Sequence, residues 1–437
     1  MATYPETIDF LFSLHRFGIK LGLEAITDIL GRLDHPQCQY ATLHVGGTNG
    51  KGSSSAMLAS VLQASGYRVG LYTSPHLIDF RERIRVQGVD ISESDVCELT
   101  EQIRRVANPL STLTFFEFTT ALAFRHFMNQ QIDIAVVEVG MGGRFDATNV
   151  LNPLGLLITG IGFDHEMYLG ESLQAIAQEK AGIICQTTPI VLGPMPGDIG
   201  RIFEIHAKKF QAPLYRFGQE FSISETDFMT FAYHGPRWRI PGLQTNLLGH
   251  HQMVNAGNTL ALLETAVEGK FSISQEAIQT GLQQVRWRGR LEVIQRDPLI
   301  ILDGAHNPSG AQVVFDFLHS QIHDCPGRKV ILVVGMMRDK NHRGFLRVLL
   351  PLADHLILTQ PLMERAASVA ELKQALDRDE SVPWLLSDSW DAFCQAKAIA
   401  NPSDLICVTG SLFLVGEVLK HFPQPGPQRD GCEHGGR

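Results

Sequence analysis

The sequence predicts an α/β protein of two units: a mostly parallel sheet carrying a small β-meander, then a second, smaller Rossmann-like α/β unit. Three observations predict it. Short runs of β-branched and aliphatic residues alternate with longer helical patterns along most of the 437 residues, and apolar strands separated by helices form parallel sheets buried on both faces. A glycine-rich stretch, LHVGGTNGKGSSSAM (43–57), joins the first strand to a helical pattern. A fresh set of apolar runs begins near residue 297, beyond the polar stretch VRWRGRLEVIQRDP (285–298).

The elements follow in order. ATLHVGG (41–47), YRVGLYT (67–73), IDIAVVEVG (132–140), LGLLITGI (154–161) and TPIVLG (188–193) read as buried strands of the first sheet. Residues 211–245 are aromatic, alternating in polarity and punctuated by Gly and Pro, which predicts a β-meander attached to the first unit. PLIILDGAHN, RKVILVVGMM, DHLILTQP, SVPWLLSD and DLICVTGS supply the second sheet. The expected domains are therefore residues 1–288 and 297–424. Residues 425–437, rich in Pro and Gly with almost no apolar anchor, read as a disordered tail.

Composition narrows the function. A hydrophobic fraction of 44% can fill a core in each unit, while a formal charge of −9 gives no global attraction for nucleic acid or an acidic membrane surface. Anionic ligands must be met by local positive groups, so the expected partners are small molecules and the expected state is a monomer. Seven scattered Cys with no C-x-x-C pair read as reduced thiols of a cytoplasmic protein. The N-terminal apolar stretch is broken by His15 and Arg16, and no run approaches the roughly 18 apolar residues of a membrane helix. Neither a signal peptide nor a span is expected.

The glycine-rich stretch carries the first chemistry. Because LHVGG ends a strand and SSSAMLASVLQASG opens a helix, the segment Gly47, Thr48, Asn49, Gly50, Lys51, Gly52 and Ser53 lies where free backbone N–H groups and the positive end of a helix dipole converge. Glycines admit a polyphosphate to the backbone, Lys51 adds a mobile cation, and a nearby hydroxyl can reach a magnesium ion. The first unit is thus a P-loop domain. The spelling departs from the Walker form, which places Ser or Thr directly after the lysine; here Gly52 stands there. A glycine turn with a solvated lysine has the same letters outside this strand–loop–helix context.

GTNGKGS followed by GLYTSPHL resembles the folylpolyglutamate synthase/dihydrofolate synthase family within the Mur ligase superfamily. The resemblance continues through FFEF (115–118), VVEVGMGGRFDATN (136–149), GFDHEMYLG (162–170), IAQEKAGII (176–184), LLGHHQMVNAGNTLAL (247–262), RGRLEV (288–293), LDGAHNPSG (302–310), GMMRDKN (335–341) and VTGSLFLVGE (408–417). It implies an ATP-driven ligation in which a carboxylate is phosphorylated and an amine displaces the phosphate. Glutamate would be joined to dihydropteroate and to reduced folates. An enzyme with one of these activities, another Mur-type ligase, and a nucleotide switch that ligates nothing are the alternatives.

The resemblance also implies roles. Ser74, Glu138 and His165 match the family's magnesium ligands, with two ions expected; read alone, Glu138 is a strand-end carboxylate and His165 a helix-cap histidine. Lys180, which spacing alone would leave on a solvated helix face, matches a lysine that is carbamylated in the family. Asn255, Arg290 and Asp303, with His306 beside them, match positions that contact ATP from the inter-domain side, so that ATP bridges two domains and closure assembles the site. Thr114, Phe116 and Glu117 at a helix start, together with Asp146 and Ala147, match the dihydropteroate pocket. A Phe pair opening a helix is also common core material.

Overall fold

The computed structural model describes residues 2–18, 22–107, 112–227, 229–267, 269–376 and 384–422. The first sheet has eight strands: β1 (Ala41–Gly46), β2 (Val69–Tyr72), β3 (Ile84–Val86), β4 (Val89–Asp90), β5 (Ile134–Glu138), β6 (Gly155–Ile158), β7 (Ile190–Leu192) and β8 (Leu214–Arg216). Their spatial order is β4-β3-β2-β5-β1-β6-β7-β8. All pairings are parallel except β2 with β3 and β3 with β4. From β1 the chain first builds toward β5 and β2, then returns to build β6, β7 and β8 on the other side. The order therefore reverses around β1, and ligands of open α/β sheets bind outside the strand ends at such a reversal.

Strand alternation explains the layers. Ile134 and Val136 of β5 join Leu43 and Val45 in a core beneath helices Lys51–Ala64 and His250–Leu262. Ala135 and Val137 point the other way, into a core with helices Tyr4–Ser13, Glu24–Arg32, Glu93–Val106 and Phe115–Asn129. Both faces are covered, so every position of β5 is buried.

The expected meander is present but shorter than 211–245. Leu214–Arg216 pairs in parallel with β7 as the last strand of the large sheet, and the meander proper is β9 (Ser222–Asp227), β10 (Thr230–His234) and β11 (Arg239–Gln244). Its inner face, Phe231, Tyr233, Ile240 and Leu243, packs into the core of helix His250–Leu262. A fully buried carboxylate, Glu264, ties it down by accepting from Tyr233 Oη (2.8 Å), the Trp238 N–H (2.6 Å) and the Arg237 N–H.

The second sheet runs β12-β13-β17-β14-β15-β16, from β12 (Glu292–Arg296), β13 (Leu299–Leu302), β14 (Val330–Val334), β15 (His355–Leu358), β16 (Trp384–Leu385) and β17 (Leu405–Thr409). Its first strand, β12, is antiparallel and lies ahead of residue 297, within the polar stretch where the domains were expected to part. Helices Pro308–His323 and His342–Leu349 cover one face, and Ser389–Ile399 and Leu412–Leu419 the other. The expected tail, 425–437, lies outside the described residues. Among the described residues no helix is long and apolar enough to cross a membrane, and all six cysteines are free thiols.

Removing a buried acceptor that holds three donors leaves those donors unsatisfied. Glu264→Ala is expected to lower the unfolding free energy of the first domain by about 2–4 kcal/mol, read as a drop in the urea midpoint. An unchanged midpoint would mean that apolar contacts alone hold the meander.

Candidate active site

The phosphate loop is shaped before any ligand arrives. β1 ends against Gly47 (φ 134°) and the helix Lys51–Ala64 is capped by Gly50 (φ 87°), two backbone conformations that favour glycine. Neither position has room for a side chain: a Cβ on Gly47 would lie 2.1 Å from Thr159 Oγ1, and one on Gly50 would lie 2.6 Å from Asn255 Oδ1. The end of β6 braces the loop further. Thr159 Oγ1 donates to the Asn49 carbonyl (2.6 Å), and Thr48 Oγ1 both donates to the Gly162 carbonyl (3.1 Å) and accepts from its N–H (3.0 Å). Lys51 curls over this cradle, its ammonium donating to the carbonyls of Gly47 (3.3 Å) and Thr48 (3.1 Å). Ser53 is buried and accepts from Gln252 Nε2 (3.3 Å), while Gly52 faces Trp287.

A narrow cleft opens beside the loop, lined by Gly47, Thr48, Lys51, Asp164, His165 and Lys180 among others. Lys180 is buried and donates to the Gly47 carbonyl at 2.8 Å. Burial, and then repulsion from Lys51, lowers its pKa to about 7. The solvated face read from spacing is thus replaced by a desolvated amine aimed at the phosphate loop, because its helix, Leu173–Ala181, packs that face under Gly143 and the strand ends. Glu138 ends β5, buried, accepting from the Ser74 N–H at 3.2 Å. Burial pushes its carboxyl up, opposed by Lys51, that N–H, Arg290 and Arg83. His165 caps a short helix, Glu166–Leu169, and burial holds its ring near a pKa of about 4, a neutral imidazole with a free lone pair at neutral pH.

These donors bear on metal binding. Among the described residues no group of three or more His, Cys, Asp and Glu side chains could hold a metal ion by itself. A buried carboxylate, a neutral imidazole and the Ser74 hydroxyl nevertheless suit magnesium, which is commonly held by one or two carboxylates together with substrate phosphates and water.

The second domain reaches into this site. Asn49 Nδ2 donates to Ser309 Oγ (2.9 Å) and Asn307 Oδ1 (3.2 Å), and Asn307 Nδ2 donates back to Asn49 Oδ1 (3.0 Å). Asp164, almost buried, pairs with Lys340 Nζ at 2.6 Å and His306 Nε2 at 3.2 Å. Burial alone would raise its carboxyl, but His306, His165 and Lys340 together hold it well below the usual carboxylate range. Asp303 accepts the N–H groups of Leu291 and Ala305, both at 2.8 Å, and so braces the loop that carries His306. Arg290 lies beside Gly304, where a Cβ would fall 2.6 Å from its Nη1. Asn255 donates to Gln252 Oε1 (3.0 Å) on the helix behind the phosphate loop.

The residues expected at the pteroate pocket are engaged locally. Thr114 and Glu117 form a capping box: Thr114 N–H and Oγ1 donate to Glu117 Oε2 at 2.8 and 2.7 Å, and the Glu117 N–H returns to Thr114 Oγ1. Phe116 stacks near Tyr72 (centroids 6.0 Å) and covers Gly140, where a Cβ would lie 2.4 Å from its Cζ. Asp146 is buried and accepts from the N–H groups of Met141 (2.8 Å) and Thr148 (3.0 Å) and from Thr148 Oγ1. Ala147 is core.

The Mur ligase middle domain model matches residues 45–263, and the Mur ligase glutamate ligase domain model matches residues 289–412. A dihydrofolate synthase/folylpolyglutamate synthase of Bacillus subtilis (strain 168) is 31% identical over 430 residues, covering 96% of this chain and 99% of that protein. The chain belongs to the Mur ligase family. Within it, the E. coli FolC structure in complex with DHPP and ADP superposes with a TM-score of 0.88 at 31% identity, over 96% of this chain and 97% of that one. A bifunctional folylpolyglutamate synthase/dihydrofolate synthase with Mn, AMPPNP and L-glutamate bound gives 0.86 at 33% identity, over 96% and 98%.

For this Mur ligase, sequence reasoning missed Asp164, Lys340, Asn307 and Gln252. The signal for Asp164 and Lys340 was present, since each lies within a stretch the family resemblance had picked out, but nothing in one sequence pairs residues 176 apart. Lys51 is half-buried, and its ammonium bonds to the loop carbonyls of Gly47 and Thr48. Lys51→Ala is expected to reduce ATP-dependent turnover about 10²-fold or more with unchanged circular dichroism; near-normal ADP release by the folded variant would refute the phosphate role.

Proposed function

We propose that this chain is an ATP-dependent ligase joining the amino group of L-glutamate to dihydropteroate and to reduced folates. One observation carries the reading: a preformed phosphate loop, the Asp164 carboxylate and two lysines line one crevice, with His306 and Lys340 of the second domain paired to that carboxylate, in a chain that matches dihydrofolate synthase/folylpolyglutamate synthases over nearly its whole length. An oxygen of the acceptor carboxylate attacks the γ-phosphorus of ATP and ADP leaves. The glutamate nitrogen then attacks the acyl carbon, phosphate departs with the bonding pair, and the amine proton passes to solvent.

The residues have distinct parts in this scheme. The N–H groups of residues 50–53 and the Lys51 ammonium receive the β- and γ-phosphates, and they are set in place beforehand rather than reorganised during reaction. Ser74, Glu138 and His165 would hold a divalent cation, which supplies charge neutralisation on the phosphoryl oxygens. Asn255, Arg290, Asp303 and His306 organise the nucleotide's other side, with Asp303 acting through the loop it braces. Thr114, Phe116, Glu117, Asp146 and Ala147 frame the pteroate pocket. The working protein is a cytoplasmic monomer of two domains, the second beginning with β12 at Glu292 rather than at 297, consistent with the free thiols among the described residues.

ADP formation measured with dihydropteroate and with tetrahydrofolate, each with and without glutamate, tests the reading. Glutamate-dependent release with both acceptors is expected. Release with one acceptor would leave a single activity, and glutamate-independent release would leave a nucleotide switch.

Lys180 gives a pH-dependent prediction. Carbamylation by dissolved CO₂ requires the neutral amine, and conversion to the carbamate removes a cation from beside Lys51. With a folded pKa of about 7 against 10.5 for the free side chain, the amine is held as ammonium below pH 7 and is mostly neutral above it. Metal-free protein in ¹³C-bicarbonate should show a carbamate carbon signal at pH 8 that fades by pH 6 and is missing in Lys180→Arg. A signal of equal strength in that variant would place the carbamate elsewhere.

A further inference from the structure

Gly52 follows the phosphate-loop lysine at the place where the Walker form carries Ser or Thr. Its backbone does not require glycine. It lies in the first turn of the helix Lys51–Ala64 and, unlike Gly47 and Gly50, has no positive φ. Alanine would be the better helix former there. What excludes a side chain is an indole: a Cβ on Gly52 would lie 2.8 Å from Trp287 Nε1, 3.0 Å from Cζ2 and 3.1 Å from Cε2.

Trp287 comes from the segment joining the two domains. Its ring is fixed on its other sides by the core beneath the helix Lys51–Ala64 and by the Arg85 guanidinium, 5.6 Å from the ring centre and itself paired with Asp90. Two residues on, the Gly289 carbonyl accepts the Gly304 N–H (2.9 Å), and the Leu291 N–H donates to Asp303 (2.8 Å). Residues 287–291 thus touch the phosphate loop at one end and the loop bearing His306 at the other.

We infer that Trp287 is a positioning residue: its indole, seated on Gly52, ties the occupancy of the phosphate loop to the placement of Arg290, Asp303 and the second domain. The inference rests on residues 47–53 being the ATP phosphate loop. Trp287 acts through Gly52. The hydroxyl of the Walker form is given up so that the inter-domain segment can press on the helix terminus, and a shift of the first helical turn on nucleotide binding moves the segment with it. Coupling of this kind travels through packed side chains in direct contact.

A size-swap cycle tests the tie on the full-length chain: Gly52→Ala, Trp287→Ala, the double variant, and Trp287→Phe as a folded control, with ADP affinity measured by calorimetry and kcat and KM for ATP by ADP release. Gly52→Ala should weaken ADP binding about tenfold, in the range found for residues in contact, and should cost less than about twofold when Trp287 is already Ala. Trp287→Ala should lower kcat by about tenfold or more, with Trp287→Phe restoring most of it. If Gly52→Ala costs the same in both backgrounds, the glycine serves close approach of the anion and the tie is refuted. Wild-type kcat and KM in Trp287→Ala would refute it too. Failure of the wild-type chain to bind ADP would instead overturn the reading of the loop on which the tie depends.

Discussion

Two lysine side chains share one carbonyl oxygen. Lys180 Nζ lies 2.8 Å and Lys51 Nζ 3.3 Å from the oxygen of Gly47, which sits at the C-terminal end of β1 beside the point where the strand order reverses. Like charges at such range in a partly desolvated cleft repel by something on the order of a few kcal/mol, and the lowered pKa of Lys180 is in part an expression of that repulsion. The cradle holding this carbonyl in place is correspondingly stiff: a left-handed glycine, the Thr159 hydroxyl behind it, and the Thr48–Gly162 pair of hydrogen bonds. The two ammonium groups concentrate positive charge at this end of the cleft. A polyphosphate relieves it, and so does conversion of Lys180 to an anion.

Asp164 is the counterweight, and its position makes charge and domain closure one problem. The carboxylate belongs to the first domain, yet both side chains that pair with it most closely, Lys340 and His306, belong to the second. With the domains apart it would keep the His165 N–H and little else from the protein. These pairs form only when the domains meet, so closure brings two basic side chains to the very loop whose neighbour, His165, faces the phosphate cleft. The Asn49–Asn307–Ser309 contacts add a second seam beside the first. Closure here is held by polar groups that water can replace, which suits a site that must open each cycle to release ADP.

What was legible in the sequence divides along physical lines. Central strands could be read because burial on both faces demands unbroken apolar runs, as in IAVVE of β5, whereas β3, β4 and β12 lie at or toward sheet edges and lack such runs, and β8 fell within the stretch read as meander. The phosphate loop was legible because its backbone excludes most residues, so the letters themselves carry the geometry. Lys180 could be located but not its burial, since helix periodicity did not reveal that its face turns inward under Gly143. The Asp164–Lys340 pair was invisible because its partners come from different domains and neither letter is rare in a loop.

Asp146, Thr114 and Glu117 show the opposite limit, where letters that match a recognition pattern are taken up by local structure. Asp146 commits its oxygens to the N–H groups of Met141 and Thr148 and to the Thr148 hydroxyl. That hydroxyl in turn meets Nε2 of His44, a ring that burial keeps neutral with a pKa of about 3. This chain of bonds fixes the turn after Glu138. Thr114 and Glu117 likewise fix the start of the helix that presents Phe116, and Phe116 can lie close over residue 140 only because that residue is glycine. A flat heterocycle bound beside Phe116 would therefore meet backbone edges and an aromatic face whose placement these polar residues determine. Because the turn that carries Asp146 leaves β5 directly after Glu138, the bond from Asp146 to the Met141 N–H sets the aromatic platform and the buried Glu138 carboxylate through one short stretch of backbone.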